Sequence, residues 1–548
     1  MLELQNLWLV RAGAKLSAKA RKRVAQINEQ LATLSTRFMQ NVLKDEQSWR
    51  LVLDGAKDLA GLPDGVRASA ARAAEEAGLP GKHVITLSRS SVDPFLTYSA
   101  RRDLREEAFN AWIRRGEHNG DTDNRGVVSD IIALRTELAR LLGYDSFADY
   151  SLVETMAKSQ AAVRDLLHAV WPHAVRRATE EREALSEQAR ADGDNATITA
   201  ADWRYYAEKV RRARYALDDA EIRPYFQLDN IIAAAFDCAH RLFGLRFRQV
   251  ENAPRYHPDV RVWEVADKRG NVVGTFLGDY FARPSKQSGA WMSSYRSQHK
   301  LGGKAAPEVR PIIVNVMSFA RGGDGEPTLL SLDDARTLFH ELGHGLHGLL
   351  SDVTYPSLSG TAVVRDFVEL PSQLYEHWLM QPQVLRTFAL HARTGKPIPK
   401  TLIERIKAAR NFNQGFSTVE YTASALVDIE LHGGSNAAPI DVTAFERETL
   451  ARLGMPREIV MRHRLPHFMH IMGGYASAYY SYLWSEVMDA DAFAAFEEAG
   501  DIFATDVARR LKKFVYSAGN RRDPLDAYVA FRGRPPAIDG LMKKRGFA

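Results

Sequence analysis

Three segments carry the residues whose types and spacing could do chemistry. The first is Ser331-Leu-Asp-Asp-Ala-Arg-Thr-Leu-Phe-His340-Glu341-Leu-Gly-His344. On a helix, His340 and His344 stand one turn apart on one face, so both imidazoles reach a single ion. Glu341 lies one residue along, placed to take a proton from a water that the ion holds. Zinc lowers the pKa of such a water to about 7, which makes it a nucleophile at neutral pH. His347 shares the face, but about 10.5 Å of helix axis separates it from His340, too far for one ion to hold all three. It reads as packing or as support for a ligand.

A third ligand must come from outside this helix. Glu369, in Arg365-Asp-Phe-Val-Glu-Leu-Pro-Ser-Gln373, lies 25 residues beyond His344, with room for a loop and the start of a second helix. Pro371 fits that helix's first turn. Glu376, two turns past Glu369, either hydrogen-bonds a ligand histidine or faces solvent. Two histidines, one carboxylate and an open position describe a catalytic zinc rather than a structural one. The expectation is one Zn2+ per chain.

The third segment runs from Leu465 to Glu486 and is dense in polar aromatics. Tyr475, Tyr479 and Tyr482 follow at i, i+4 and i+7, one face of a helix. Phenols so placed can donate to a tetrahedral oxyanion, with His470 beside them. The plainer alternative is an aromatic core helix. Gly473-Gly474 offers a joint about which the segment could move.

Elements must hold these groups in place. Ser331 with Asp334 makes a capping box that starts the histidine helix, and Leu338, Leu342, Leu346 and Leu349 give its apolar register. Gly343, Gly345 and Gly348 each cost about 1 kcal/mol in a helix interior, so something must pack closely there. The first 250 residues read as helical, with apolar steps such as Ile27, Leu31, Leu34 and Phe38. The texture changes near Arg255. Val260–Val265 alternates, Asp267–Asn271 supplies a turn, Val272–Leu277 returns, and Pro311–Val316 is a further β-branched run. The fold expected is mainly α with a small β-sheet. The division expected is a helical half, 1–255, and a catalytic half, 256–548, with a boundary not contiguous in sequence.

Composition excludes several classes. The chain has 548 residues, 45% hydrophobic and 26% charged, which is ordinary globular composition. The charge balance, 73 − 68 = +5, is too dilute to indicate nucleic acid. The basic cluster Arg204, Lys209, Arg211, Arg212 and Arg214 is diluted by Glu208, Asp218 and Asp219. A single cysteine, Cys238, can form no internal disulfide. The N-terminus lacks a basic n-region, and the long uncharged run Leu465–Ser485 carries two His, four Tyr and three Ser, unsuited to lipid. A cytoplasmic, monomeric protein without membrane or nucleic-acid partners is expected.

Taken together, these segments resemble the thimet oligopeptidase family of zinc peptidases, nearest its dipeptidyl carboxypeptidase branch. Phe339–His347, Leu358–Thr361, Arg365–Gln373 with Glu376-His-Trp378, and Gly473–Glu486 carry the resemblance. Arg223–Phe226, Gly289–Ser293 and Pro311–Asn315 extend it over nearly the whole chain. The resemblance implies an α-rich ellipsoid split by a deep substrate channel, the first half forming one wall, with zinc on the channel floor. It implies His340, His344 and Glu369 as ligands, Glu341 as general base, and His470, Tyr475, Tyr479 and Tyr482 as substrate-binding or transition-state groups. The strand near Pro311–Val316 resembles the element that lines up with the substrate backbone.

Branch members usually carry well over a hundred residues before the segment resembling Met1–Leu43. The expectation here is a wider cleft, and weaker exclusion of larger peptides. The activity implied is hydrolysis of short unstructured peptides, releasing C-terminal dipeptides. Internal cleavage is the alternative, and a peptide-binding protein without activity a more distant one. Arg462, His463 and His467 are candidates for holding a terminal carboxylate.

Overall fold

The computed structural model describes residues 2–283, 285–287, 289–304, 307–323, 325–434 and 439–548. It is 57% helical with one small mixed sheet, the class the apolar spacing predicts. The chain forms two compact units. One comprises Met1–Val210, Asn413–Ser481 and Phe547; the other comprises Arg211–Phe412, Tyr482–Gly546 and Ala548. The change of texture at Arg255 lies inside the second unit.

In the first unit, the helix Ala18–Ser48 begins at Ser17, whose hydroxyl accepts from the Ala20 amide at 3.3 Å. Ile27 and Phe38 are wholly buried, as their spacing predicts. Burying such a side chain contributes about 1.5–3 kcal/mol. Val24 and Ile27 meet Leu138 of the helix Arg125–Leu141 in one apolar cluster. The helices Gln160–Ala191 and Gln414–Gly433 run in near backbone contact. A Cβ on Gly415 would lie 2.3 Å from the Ala178 nitrogen. Sequence periodicity misses a pair of four-residue strands, β1 (Arg50–Leu53) and β2 (His83–Thr86). They pair antiparallel across a long insertion, with Leu51 opposite Ile85.

The second unit holds the sheet of β3 (Arg246–Gln249), β4 (Arg261–Ala266), β5 (Val272–Phe281), β6 (Trp291–Arg296) and β7 (Ile312–Phe319). Their order is β3-β4-β5-β7-β6, and only β5 and β7 run parallel. The β4–β5 turn forms as its residues predict. Asp267 Oδ1 accepts from the Arg269 and Asn271 amides at 2.8 and 2.9 Å, and Gly270 takes φ 86°. The run Pro311–Val316 is a strand, but β7 is paired on both sides, with β5 and with β6. Its backbone is therefore committed, and the free edge on that side belongs to β6.

Among the described residues, no helix is long and apolar enough to cross a membrane. Cys238 is buried in the helix Leu228–Phe243. Three members of the basic cluster are held in ion pairs. Arg204 Nε meets Asp93 at 2.8 Å, Lys209 meets Asp192 at 2.6 Å, and Arg212 meets Asp218 at 3.2 Å.

Candidate metal centre

The histidine helix runs Leu332–Leu349 and starts at the predicted cap. Ser331 Oγ accepts from the Asp334 amide at 3.0 Å, and Asp334 Oδ2 accepts from the Ser331 amide at 3.0 Å. Leu338, Leu342, Leu346 and Leu349 are buried, which fixes the rotation of the helix about its axis. That rotation puts His340 and His344 side by side, ring centroids 5.0 Å apart.

The glycines mark where neighbouring elements press closest to the helix. A Cβ on Gly343 would lie 2.6 Å from Ser372 Cα and 2.7 Å from the Pro371 oxygen. Those atoms belong to the helix Leu370–Leu379, which has Pro371 in its first turn. A Cβ on Gly348 would lie 2.6 Å from Ile313 Cδ1 of β7. The helix is thus pressed between the sheet and the element that follows Glu369.

This close approach delivers Glu369 to the two histidines. Glu369 Oε2 lies 3.2 Å from His340 Nε2 and 3.1 Å from His344 Nε2. One donor atom from each of the three residues falls within 4.8 Å of the others, a set that could hold a metal ion. The carboxylate is only 1% exposed, and Ser372 Oγ lies 3.1 Å from Oε2. His340 Nδ1 lies 2.7 Å from Glu376 Oε1, which settles Glu376 as a partner of the histidine. Glu341 is 5% exposed, and its buried Oε2 has no hydrogen-bond partner among the described residues.

The electrostatics suit a cation. Burial alone would lower the His340 pKa, but hydrogen bonds that the ring donates to Glu369 and Glu376 override it and hold it well above the usual value. Burial would raise Glu369, yet the two imidazoles hold it well below. Without an ion, the cluster therefore keeps a proton that a divalent ion would displace. Burial pushes the Glu341 carboxyl up from its ordinary value. A donor set of two imidazoles and a carboxylate, with an unpartnered carboxylate oxygen beside it, fits zinc. His347 is wholly buried with no hydrogen bond from either ring nitrogen among the described residues, and burial lowers its pKa to about 3, so it packs as a neutral ring.

A model of peptidase family M3 matches residues 95–547. The chain belongs to peptidase family M3. This M3 chain is 38% identical over 542 residues to a dipeptidyl carboxypeptidase of Salmonella typhimurium, covering 98% of this chain and 79% of that protein. Oligopeptidase A of Escherichia coli is 34% identical, covering 98% and 79%. In fold, it is similar to a Bacillus anthracis protein assigned as an oligoendopeptidase F. The TM-score is 0.53 at 12% identity, covering 97% of this chain and 74% of that one. The M3 chain is a metallopeptidase.

The tyrosine segment departs from the expected helix. Residues 473–480 form irregular turns, and helix resumes only at Ser481–Glu498. The i, i+4, i+7 face therefore does not exist. Tyr475 and Tyr479 cluster instead with His470 in the first unit, ring centroids 6.1 and 5.2 Å from it. Tyr482 lies in the first turn of the next helix and belongs to the second unit, where its carbonyl accepts from Gln373 Nε2 at 2.9 Å. The expected joint at Gly473-Gly474 is flanked by fixed points. Ser35 Oγ donates to the Met472 carbonyl at 2.9 Å, and Ser151 Oγ to the Ala476 carbonyl at 3.0 Å.

Of the carboxylate-holding candidates, burial pushes His463 and His467 well below the usual histidine range, so both are neutral. Arg462 Nη1 lies 3.7 Å from Glu420 Oε2.

Proposed function

We propose that this chain is a zinc peptidase that releases dipeptides from the C-terminus of short, unstructured peptides. In this reading it works in the cytoplasm as a monomer with one ion per chain. The observation that carries it is the meeting of His340, His344 and Glu369 beside the unpartnered carboxylate oxygen of Glu341. Zinc, when bound, polarises the scissile carbonyl and favours deprotonation of the attacking water. Glu341 takes the proton from that water and hands it to the leaving amine. Glu376 holds His340 in the tautomer whose Nε2 faces the ion. His470, Tyr475, Tyr479 and Tyr482 are assigned to binding the peptide and stabilising the oxyanion, on the family resemblance of their segment. The exposed edge of β6 is suited to pair with an extended peptide backbone.

The exopeptidase reading rests on the likeness to dipeptidyl carboxypeptidases at 38% and 37% identity. The likeness to oligopeptidase A supports internal cleavage as the second reading. A nonapeptide with a free C-terminus and its amidated twin separate the two. Dipeptide from the free peptide, and loss of activity on the amide, are expected. Equal cleavage of both at an internal bond contradicts the exopeptidase reading.

A further inference from the structure

Asp428 lies on the helix Gln414–Gly433 and is 1% exposed. Its two carboxylate oxygens are used on the backbone of the tyrosine segment. Oδ1 accepts from the Ser477 amide at 2.9 Å, and Oδ2 accepts from the Tyr479 amide at 3.0 Å. One turn along, His432 Nδ1 lies 2.9 Å from Asp428 Oδ1, and His432 Nε2 lies 2.9 Å from Arg135 Nη1. A guanidinium only donates, so Nε2 must accept and the ring proton sits on Nδ1, directed at Asp428. Arg135 also donates from Nη1 to the Ile471 carbonyl at 2.6 Å and from Nη2 to the Gly473 carbonyl at 3.3 Å. The chain Arg135–His432–Asp428 thus grips the segment on both sides of Tyr475.

The grip holds a backbone that would not persist alone. Ser477 has φ 59°, the left-handed region that side chains other than glycine rarely adopt. Among the described residues its buried hydroxyl has no hydrogen-bond partner, so no side-chain hydrogen bond favours that conformation. Such strain persists only where the surroundings over-determine it. The Asp428 carboxylate meets the amide of the strained residue itself. Tyr421 Oη adds a third hold, donating to the Tyr479 carbonyl at 2.6 Å.

We propose that Asp428, backed by His432 and Arg135, is a positioning residue that sets the aim of the Tyr475 and Tyr479 phenols. This rests on the reading above, in which those phenols act on the transition state. Asp428→Asn keeps the shape but offers one acceptor oxygen to two amides. In the zinc-loaded full chain, Asp428→Asn lowers kcat on a short peptide about 10²-fold, with KM and zinc content little changed. Tyr421→Phe lowers kcat in the same direction by a smaller factor, and decides the matter if Asp428→Asn does not fold. In a Tyr475→Phe/Tyr479→Phe background, Asp428→Asn costs no more than about a further twofold, because the groups it aims are already gone. If the tyrosine variants alone leave kcat unchanged, the reading of the phenols fails. If they lower kcat while Asp428→Asn and Tyr421→Phe do not, or if the losses multiply in full, the positioning role is overturned and that reading stands.

Discussion

Glu376 Oε1 lies 2.7 Å from His340 Nδ1, on the far side of the ring from Glu369. Such a carboxylate fixes the ring's tautomer and raises its basicity as a ligand. Glu376→Gln keeps a hydrogen-bond acceptor but removes the charge. Zinc affinity, read by competition with a chromophoric chelator, falls about 10-fold, and about 100-fold in Glu376→Ala. Unchanged affinity in both would show that the contact does no work on the metal.

Glu341 is the proposed base and not a ligand. Glu341→Gln therefore retains zinc while kcat on a short peptide drops by about 10²–10⁴-fold. Turnover close to that of the unmodified chain removes Glu341 from the reaction.

Gly343 and Gly65 make a paired test of packing. A Cβ at Gly343 runs into Ser372 Cα at 2.6 Å, next to the residues that deliver Glu369, whereas nothing lies within 4 Å of one at Gly65. Gly343→Ala is expected to cost about 1–3 kcal/mol and to weaken zinc binding. Gly65→Ala, in the helix Asp64–Glu76, is expected to stabilise by about 0.5–1 kcal/mol. Denaturant melts of the two variants give the signs, and equal effects contradict the close approach.

Asp279 supplies a pH dependence with a definite sign. Burial would raise its pKa, but Arg283, Lys286 and Tyr256 hydrogen-bond it and hold it at about 2. The unfolded carboxyl titrates near 3.9. A group depressed in the folded state contributes stability that is full above about pH 4 and lost as pH falls towards 2. The stability gap between the unmodified chain and Asp279→Asn is therefore largest at neutral pH and closes across that window. A gap independent of pH contradicts the assignment.

Much of the metal centre was legible because its determinants are local. The Ser331–Asp334 cap, the leucine register and the spacing of His340, Glu341 and His344 all act within one helix. The β4–β5 hairpin was legible for the same reason, through Asp267 and Gly270. Glu376 could be placed on the right face, but its partner depends on a contact between two helices. The tyrosine segment misled because helical spacing assumes helix. A carboxylate some fifty residues upstream, Asp428, takes the amides of Ser477 and Tyr479 out of any helical ladder. The pattern Asp428-x-x-x-His432, one turn apart on the largely buried helix Gln414–Gly433, was the available signal for that clamp. The pairing of β1 with β2 was invisible because four-residue strands so far apart have no shared pattern. Pro311–Val316 read correctly as a strand, but neighbour order, which sequence does not encode locally, put β6 at the edge.

The most direct test is the zinc content of purified Glu369→Ala beside the unmodified chain, measured by elemental mass spectrometry after dialysis against metal-free buffer. About one zinc per unmodified chain, and almost none in Glu369→Ala with the fold retained, is the result expected of a two-histidine, one-carboxylate site. Full zinc retention in Glu369→Ala would contradict the account.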